Sequence, residues 1–305
     1  MEKIKVIFLC LLILLISSSQ SFGAKFMEPW ADIWTNVAQY ETNAEKMDFK
    51  SIVGRVEARI GIHLLPLWGE TTLKPYFAYL GVSSQDNAYW NNSGASGGGV
   101  RFKPFLGYRA NAWYDEWIKD LRIFGEVLSI TYYSEKEKAE SEGKPVTDTR
   151  AGLDLWHEWN QFRPEDPTST PNPALPWAEV WANLSYRTTN FYEEEFNDFI
   201  FYLQPKIGVQ SDILDTGASI EPYLRMDLVL SGKGKEYAWL NHIDYGAGIR
   251  VRPFKQGNFF GNNLPWLSKL KIFAEMISIS WTKGKDYETR PDTDFRFGID
   301  FTYGR

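Results

Sequence analysis

Pro29-Trp30-Ala31-Asp32-Ile33-Trp34-Thr35-Asn36 is written a second time, 147 positions on, as Pro176-Trp177-Ala178-Glu179-Val180-Trp181-Ala182-Asn183. At the same offset Arg59-Ile60-Gly61-Ile62 returns as Lys206-Ile207-Gly208-Val209, and Leu73-Lys74-Pro75-Tyr76 as Ile220-Glu221-Pro222-Tyr223. With small loop changes the copy continues. Gly99-Val100-Arg101-Phe102-Lys103-Pro104-Phe105 matches Gly248-Ile249-Arg250-Val251-Arg252-Pro253-Phe254, Leu121–Glu126 matches Leu270–Glu275, and Arg150–Asp154 matches Arg296–Asp300. Residues 29–160 and 176–305 therefore read as two copies of one six-segment unit, the mark of an architecture made by doubling.

Each segment alternates with period two, which is strand and not helix. In the first, Trp30, Asp32, Trp34, Asn36 and Tyr40 share one parity and Ala31, Ile33, Thr35 and Val37 the other. In the second, Arg55, Glu57, Arg59, Gly61 and His63 oppose Val56, Ala58, Ile60, Ile62 and Leu64. Strands are expected at about 29–42, 52–65, 73–83, 98–105, 121–134 and 148–158, with copies at about 177–190, 199–213, 219–232, 244–254, 270–283 and 294–304. Pro75, Pro104, Pro222 and Pro253 are expected near strand ends, where a missing ladder donor costs least. The glycine-rich run Asn91–Gly99 and the charged run Glu135–Thr147 read as loops.

Lys3 and Lys5 precede the apolar run Val6–Ile16, and Ser21 and Gly23 suit a cleavage site after Gly23, so residues 1–23 read as an export signal. The apolar run is too short for a helical span, which needs about 20 residues. The single cysteine, Cys10, lies inside it, leaving residues 24–305 without disulfides. A net charge of −6 argues against nucleic acid as a partner. Aromatic residues make up 16% of the chain, with 13 Trp. An exported, aromatic-rich chain of alternating segments suits an all-β, closed antiparallel transmembrane barrel of about twelve strands in the bacterial outer membrane, each strand spanning with about 9–11 residues. Residues 24–305 then form one barrel domain, with the proline-rich stretch 163–176 joining the halves and both chain ends on the periplasmic side. A soluble β-sandwich or propeller is the competing architecture, since alternation does not say what the apolar face touches.

If the apolar parity faces lipid, the polar parity lines a narrow lumen in pairs related by a pseudo-twofold axis. Arg59 and Lys206, Arg101 and Arg250, Glu126 and Glu275, and Asp154 and Asp300 are the candidates for a charged filter. Arg101 is expected beside Glu126, and Arg250 beside Glu275, because a buried charge persists only when paired. Trp34, Trp181, Tyr76 and Tyr223 are candidates for stacking on sugar faces. Trp30 and Trp177, at strand starts, suit an interfacial girdle. The three histidines His63, His157 and His242 do not recur between the copies, and no nucleophile elbow, zinc-ligand cluster or phosphate loop is present. No catalytic residue, metal or cofactor is therefore assigned.

The motifs Gly99–Phe105 and Gly248–Phe254, each followed by Phe124-Gly125-Glu126-Val127-Leu128-Ser129 or Phe273-Ala274-Glu275-Met276-Ile277-Ser278, resemble the C-terminal barrel of the phage adsorption protein A family. More loosely they resemble the barrels that end exopolysaccharide secretion proteins. The resemblance implies an outer-membrane barrel associated with surface polysaccharide or used by phage. That family carries a helical-repeat periplasmic domain ahead of the barrel, so the resemblance implies a separate periplasmic helical-repeat partner here. The sequence reading is thus a monomeric, porin-like conduit or docking pore for polar solutes, saccharides among them, inserted into outer-membrane lipid by the outer-membrane assembly machinery. A plugged structural or surface-receptor barrel is the second reading. A lipid- or glycan-modifying enzyme using His63 or His157 is the third.

Overall fold

The computed structural model describes residues 28–44, 47–64, 66–68, 71–85, 92–107, 114–133, 146–159, 174–190, 196–213, 218–233, 240–254, 265–282 and 292–304. The expected export signal lies outside them, as do most of Glu135–Thr147 and of the joining stretch 163–176. Among the described residues twelve long strands succeed one another: β1 (Glu28–Ala44), β2 (Met47–His63), β3 (Thr71–Ser84), β4 (Ser93–Phe102), β5 (Arg122–Tyr132), β6 (Val146–Trp159), β7 (Leu175–Thr189), β8 (Phe196–Ile213), β9 (Ala218–Ser231), β10 (His242–Arg252), β11 (Leu270–Trp281) and β12 (Asp292–Tyr303). Each pairs antiparallel with its sequence neighbours, and β12 pairs with β1 from Ile33↔Tyr303 to Thr42↔Asp294. The sheet closes on itself and leaves no edge, so a sandwich and a propeller are both ruled out.

Closure separates two faces with opposite chemistry. Met276 is 63% exposed and Phe297 54%, whereas Glu275, next to the first, is 4% exposed. Soluble proteins do the reverse. An apolar exterior around a charged interior is what a barrel presents to lipid, where every backbone group must be satisfied within the sheet. Phe295, Phe297 and Ile299 on β12 all face outward.

Residues that correspond between the halves hold the same register. Gly61 faces Tyr76 as Gly208 faces Tyr223. Tyr76 faces Gly99 as Tyr223 faces Gly248, and Gly99 faces Glu126 as Gly248 faces Glu275. The long connections after β4 and β10 carry a helical turn at Asp115–Ile118 and a 3-10 turn at Pro265–Lys269.

Two expectations are corrected. The run Ser93–Gly99 is strand, not loop, and pairs with both β3 and β5. Its glycines answer to close approach: a Cβ at Gly97 would lie 1.9 Å from the Val127 carbonyl oxygen, and one at Gly99 2.6 Å from Cζ of Tyr76. Pro75 and Pro222 lie within β3 and β9, not at strand ends. They are tolerated because the β2–β3 ladder ends at Tyr76, and the β8–β9 ladder is interrupted between Ile220 and Tyr223. Neither proline is asked for a donor there.

The glycines supply a direct test. Gly98 faces outward and a Cβ there meets nothing nearer than 3.6 Å, whereas Gly99 lies under the Tyr76 ring. Gly99→Ala is expected to destabilise by about 1–3 kcal/mol through overpacking. Gly98→Ala should be neutral or slightly stabilising, because it narrows the unfolded ensemble. Unfolding midpoints in detergent measure both, and equal effects would remove the tyrosine-over-glycine account.

Candidate functional site: the barrel lumen

All twelve candidate lumen residues, Arg59, Tyr76, Arg101, Glu126, Asp154, Asp300, Lys206, Tyr223, Arg250, Glu275, Trp34 and Trp181, line one interior cavity of about 470 Å³. Their strand parity puts them there, since one face of every strand looks inward. What they touch differs from the expected pairing. Arg101 does not pair with Glu126, nor Arg250 with Glu275. Register explains this: Glu126 and Glu275 face Gly99 and Gly248, and Arg101 and Arg250 lie two residues further along. The tyrosine ring fills the space over each glycine and takes the carboxylate instead. Tyr76 Oη donates to Glu126 at 3.0 Å, and Tyr223 Oη to Glu275 at 2.6 Å.

The arginines reach along chords of the lumen. Arg101 Nη1 donates to Asp32 at 3.0 Å, and Arg250 Nη1 to Glu179 at 3.0 Å, each joining strands three apart. Beneath each guanidinium, 3.8 Å from its central carbon, lies a tryptophan ring: Trp30 under Arg101 and Trp177 under Arg250. Trp30 and Trp177 are therefore interior cation-π platforms, not an interfacial girdle. Each also packs on its tyrosine with ring centroids 5.9 Å apart. Two copies of one aromatic and charged module thus face each other inside the barrel.

The halves are latched at both junctions. Trp34 Nε1 donates to Asp300 at 2.6 Å and Trp181 Nε1 to Asp154 at 3.1 Å, so the last strand of each half grips the first strand of the other. Of the four sugar-stacking candidates, Tyr76 and Tyr223 are 7% and 5% exposed and covered by arginine and glycine. Trp34 and Trp181 keep lumen-facing ring surface, and Trp181 stacks on Tyr202 at 5.8 Å.

Sequence reasoning missed a further layer of ion pairs, away from the chain ends. Asp148, fully buried, takes Arg150 at 2.6 Å and Arg187 at 2.7 Å. Arg225 bridges Asp227 and Glu275, and Arg296 pairs with Asp294 at 2.6 Å. The signal was in the chain: Asp148/Arg150, Arg225/Asp227 and Asp294/Arg296 are opposite charges two apart, which a strand sets on one face.

A second cavity of about 480 Å³ lies at the mouth where β1 begins and β12 ends. His157 Nδ1 meets Asp120 at 2.7 Å there, and Lys103 holds the other carboxylate oxygen at 2.7 Å, fastening the connection before β5 to the wall. Burial disfavours ionisation of Asp120, yet the hydrogen bonds from His157 and Lys103 outweigh it and hold its carboxyl below the usual range. His242 pairs with Asp244 at 2.6 Å at the far end of the barrel. Among the described residues no cluster of three or more His, Cys, Asp or Glu is placed to hold a metal ion.

No family model matches the chain, and no curated protein matches it. Among solved structures it is similar to the β domain of the Bordetella autotransporter BrkA, with a TM-score of 0.37, 11% identity, and coverage of 92% of this chain and 100% of that one. It is similar to the NanC porin, with a TM-score of 0.37, 6% identity, and coverage of 88% and 98%. The translocator domain of the autotransporter NalP from Neisseria meningitidis follows with a TM-score of 0.32, 10% identity, and coverage of 98% and 96%.

Proposed function

We propose that this chain is an outer-membrane barrel acting as a narrow conduit or docking pore for polar solutes, saccharides included, with both chain ends periplasmic. The observation that carries the reading is the polar, charge-layered cavity enclosed by a closed sheet whose exterior is apolar. Rings of fixed charge at a constriction select among solutes by sign and size. Trp34 and Trp181 supply lumen-facing rings for sugar faces, and the charged layers supply hydrogen-bond donors and acceptors. Outer-membrane lipid surrounds the barrel, the assembly machinery inserts it, and a periplasmic helical-repeat protein docks below it, in line with the family resemblance.

One observation favours a plugged structural or surface-receptor barrel. The ion pairs Arg101–Asp32, Arg250–Glu179 and Arg252–Glu158 span chords of the lumen, and the first two bury both charges. Planar-bilayer recording separates the two. The conduit is expected to conduct, and Arg225→Gln/Asp227→Asn/Glu275→Gln, which neutralises the bridging arginine together with both of its carboxylates, is expected to shift ion selectivity. A barrel that shows no conductance and no uptake of small sugars, with stability changes alone in the triple variant, would establish the plugged reading.

A further inference from the structure

The two halves agree in register yet carry opposite charges at Lys74 and Glu221, and the difference changes the chemistry of one mouth. In the second half Glu221 lies directly across the ladder from Arg250. Its carboxylate bridges Arg250 and Arg252 and is fully buried. The corresponding residue in the first half is Lys74, which lies directly across from Arg101. Like charges facing each other across a ladder are destabilising, whereas opposite charges stabilise. Glu158, which takes Arg252 at 3.3 Å, has Gly304 as its counterpart. Two of the acids that neutralise the second half are thus replaced, one by a cation and one by glycine.

The result is visible in the cavity at the termini-side mouth. Four cations, Lys74, Arg101, Lys103 and Arg122, line its volume of about 480 Å³ beside two acids, Asp120 and Glu158, the latter turned to Arg252. Arg101, Lys103 and Arg122 each have a carboxylate, in Asp32, Asp120 and Asp154. Among the described residues no hydrogen bond or ion pair engages the Lys74 side chain, although it faces Arg101. A like-charged cross-strand pair in a partly enclosed cavity calls for a counter-anion. Arginine forks with a lysine beside them are the donor set that holds a carboxylate or phosphate. Arg101, Arg122 and Trp156 line both this cavity and the main lumen, so an anion held here stands at the entrance to the larger space.

We infer that this mouth is an oxyanion-binding site, taking the carboxylate or phosphate of an acidic solute, and that Lys74 is its specificity-determining residue. The inference concerns binding and holds whether or not the lumen conducts. The test is calorimetric titration of the folded barrel in detergent with inorganic phosphate, with glucuronate and with uncharged glucose at matched ionic strength. Saturable binding of phosphate, of glucuronate or of both, with none for glucose, is expected, and the pattern tells which oxyanion is preferred. Lys74→Glu, which installs the acid of the second half, is expected to weaken that binding by about tenfold or more. Lys74→Met removes the cation without adding an acid and carries the same test if Lys74→Glu does not fold. Heat-modifiable migration on unheated gels reports folding for both. Wild-type protein that binds neither anion saturably, or binding unchanged in the folded variants, would overturn the inference. A wild type that conducts without binding leaves the conduit standing and removes this site, whereas binding without conductance does the opposite.

Discussion

Glu221→Gln is expected to cost about 3–5 kcal/mol of barrel stability, because it leaves two guanidinium groups without their shared carboxylate in a buried layer. Glu221 is fully buried, and both Arg250 and Arg252 turn a nitrogen toward it. The contrast is Glu41→Gln on the protruding β1–β2 hairpin. There Glu41 and Lys50 pair at 2.9 Å with side chains 54% and 65% exposed. An exposed pair is worth at most about 1 kcal/mol, so that variant should be close to neutral. Denaturant midpoints of the refolded barrel in detergent compare the two. Equal losses would mean that the inner layer is wet enough to screen its charges, and the account of a buried, chord-spanning network would fall.

Ile299→Arg is expected to cost about 2–4 kcal/mol, the penalty for an arginine on the lipid face near the midplane. Ile299 is 47% exposed on β12 and lies across the ladder from Val37 and Ile272. Its neighbour Asp300 faces inward and accepts from Trp34. Asp300→Asn keeps an acceptor for that indole and should lose much less. The readout is the fraction of heat-resistant, fast-migrating barrel after refolding into lipid vesicles. The opposite order of effects would show that the two faces have been exchanged.

The parity of each strand was legible because a period-two pattern assigns every second side chain to one face, and Arg101, Glu126, Trp34 and their counterparts line the interior cavity. Partner choice was not legible. It depends on register and on how far a long side chain leans: Arg101 passes Glu126 and reaches Asp32, while Tyr76 takes the glutamate over a glycine. Trp30 was misplaced because a tryptophan at a strand start suits a membrane interface as well as a platform beneath an arginine. Composition misled at Ser93–Gly99, where glycine marks close approach of neighbouring backbone and rings and not a loop. The exceptional position, Lys74 against Glu221, was present in the aligned copies, but its meaning depended on knowing that each residue faces an arginine across the ladder.

The latch between Trp34 and Asp300 has a consequence for how the molecule counts its own strands. Asn36 faces Asp300 where the chain's first and last strands meet, and Asn183 faces Asp154 where the two halves are joined covalently. Register and indole bond are alike at both places, though only one is spanned by a peptide. To the finished ring the chain's ends are an interruption of the covalent thread and not of the wall. The geometry singles out no first strand. The final structure itself imposes no order on its strands.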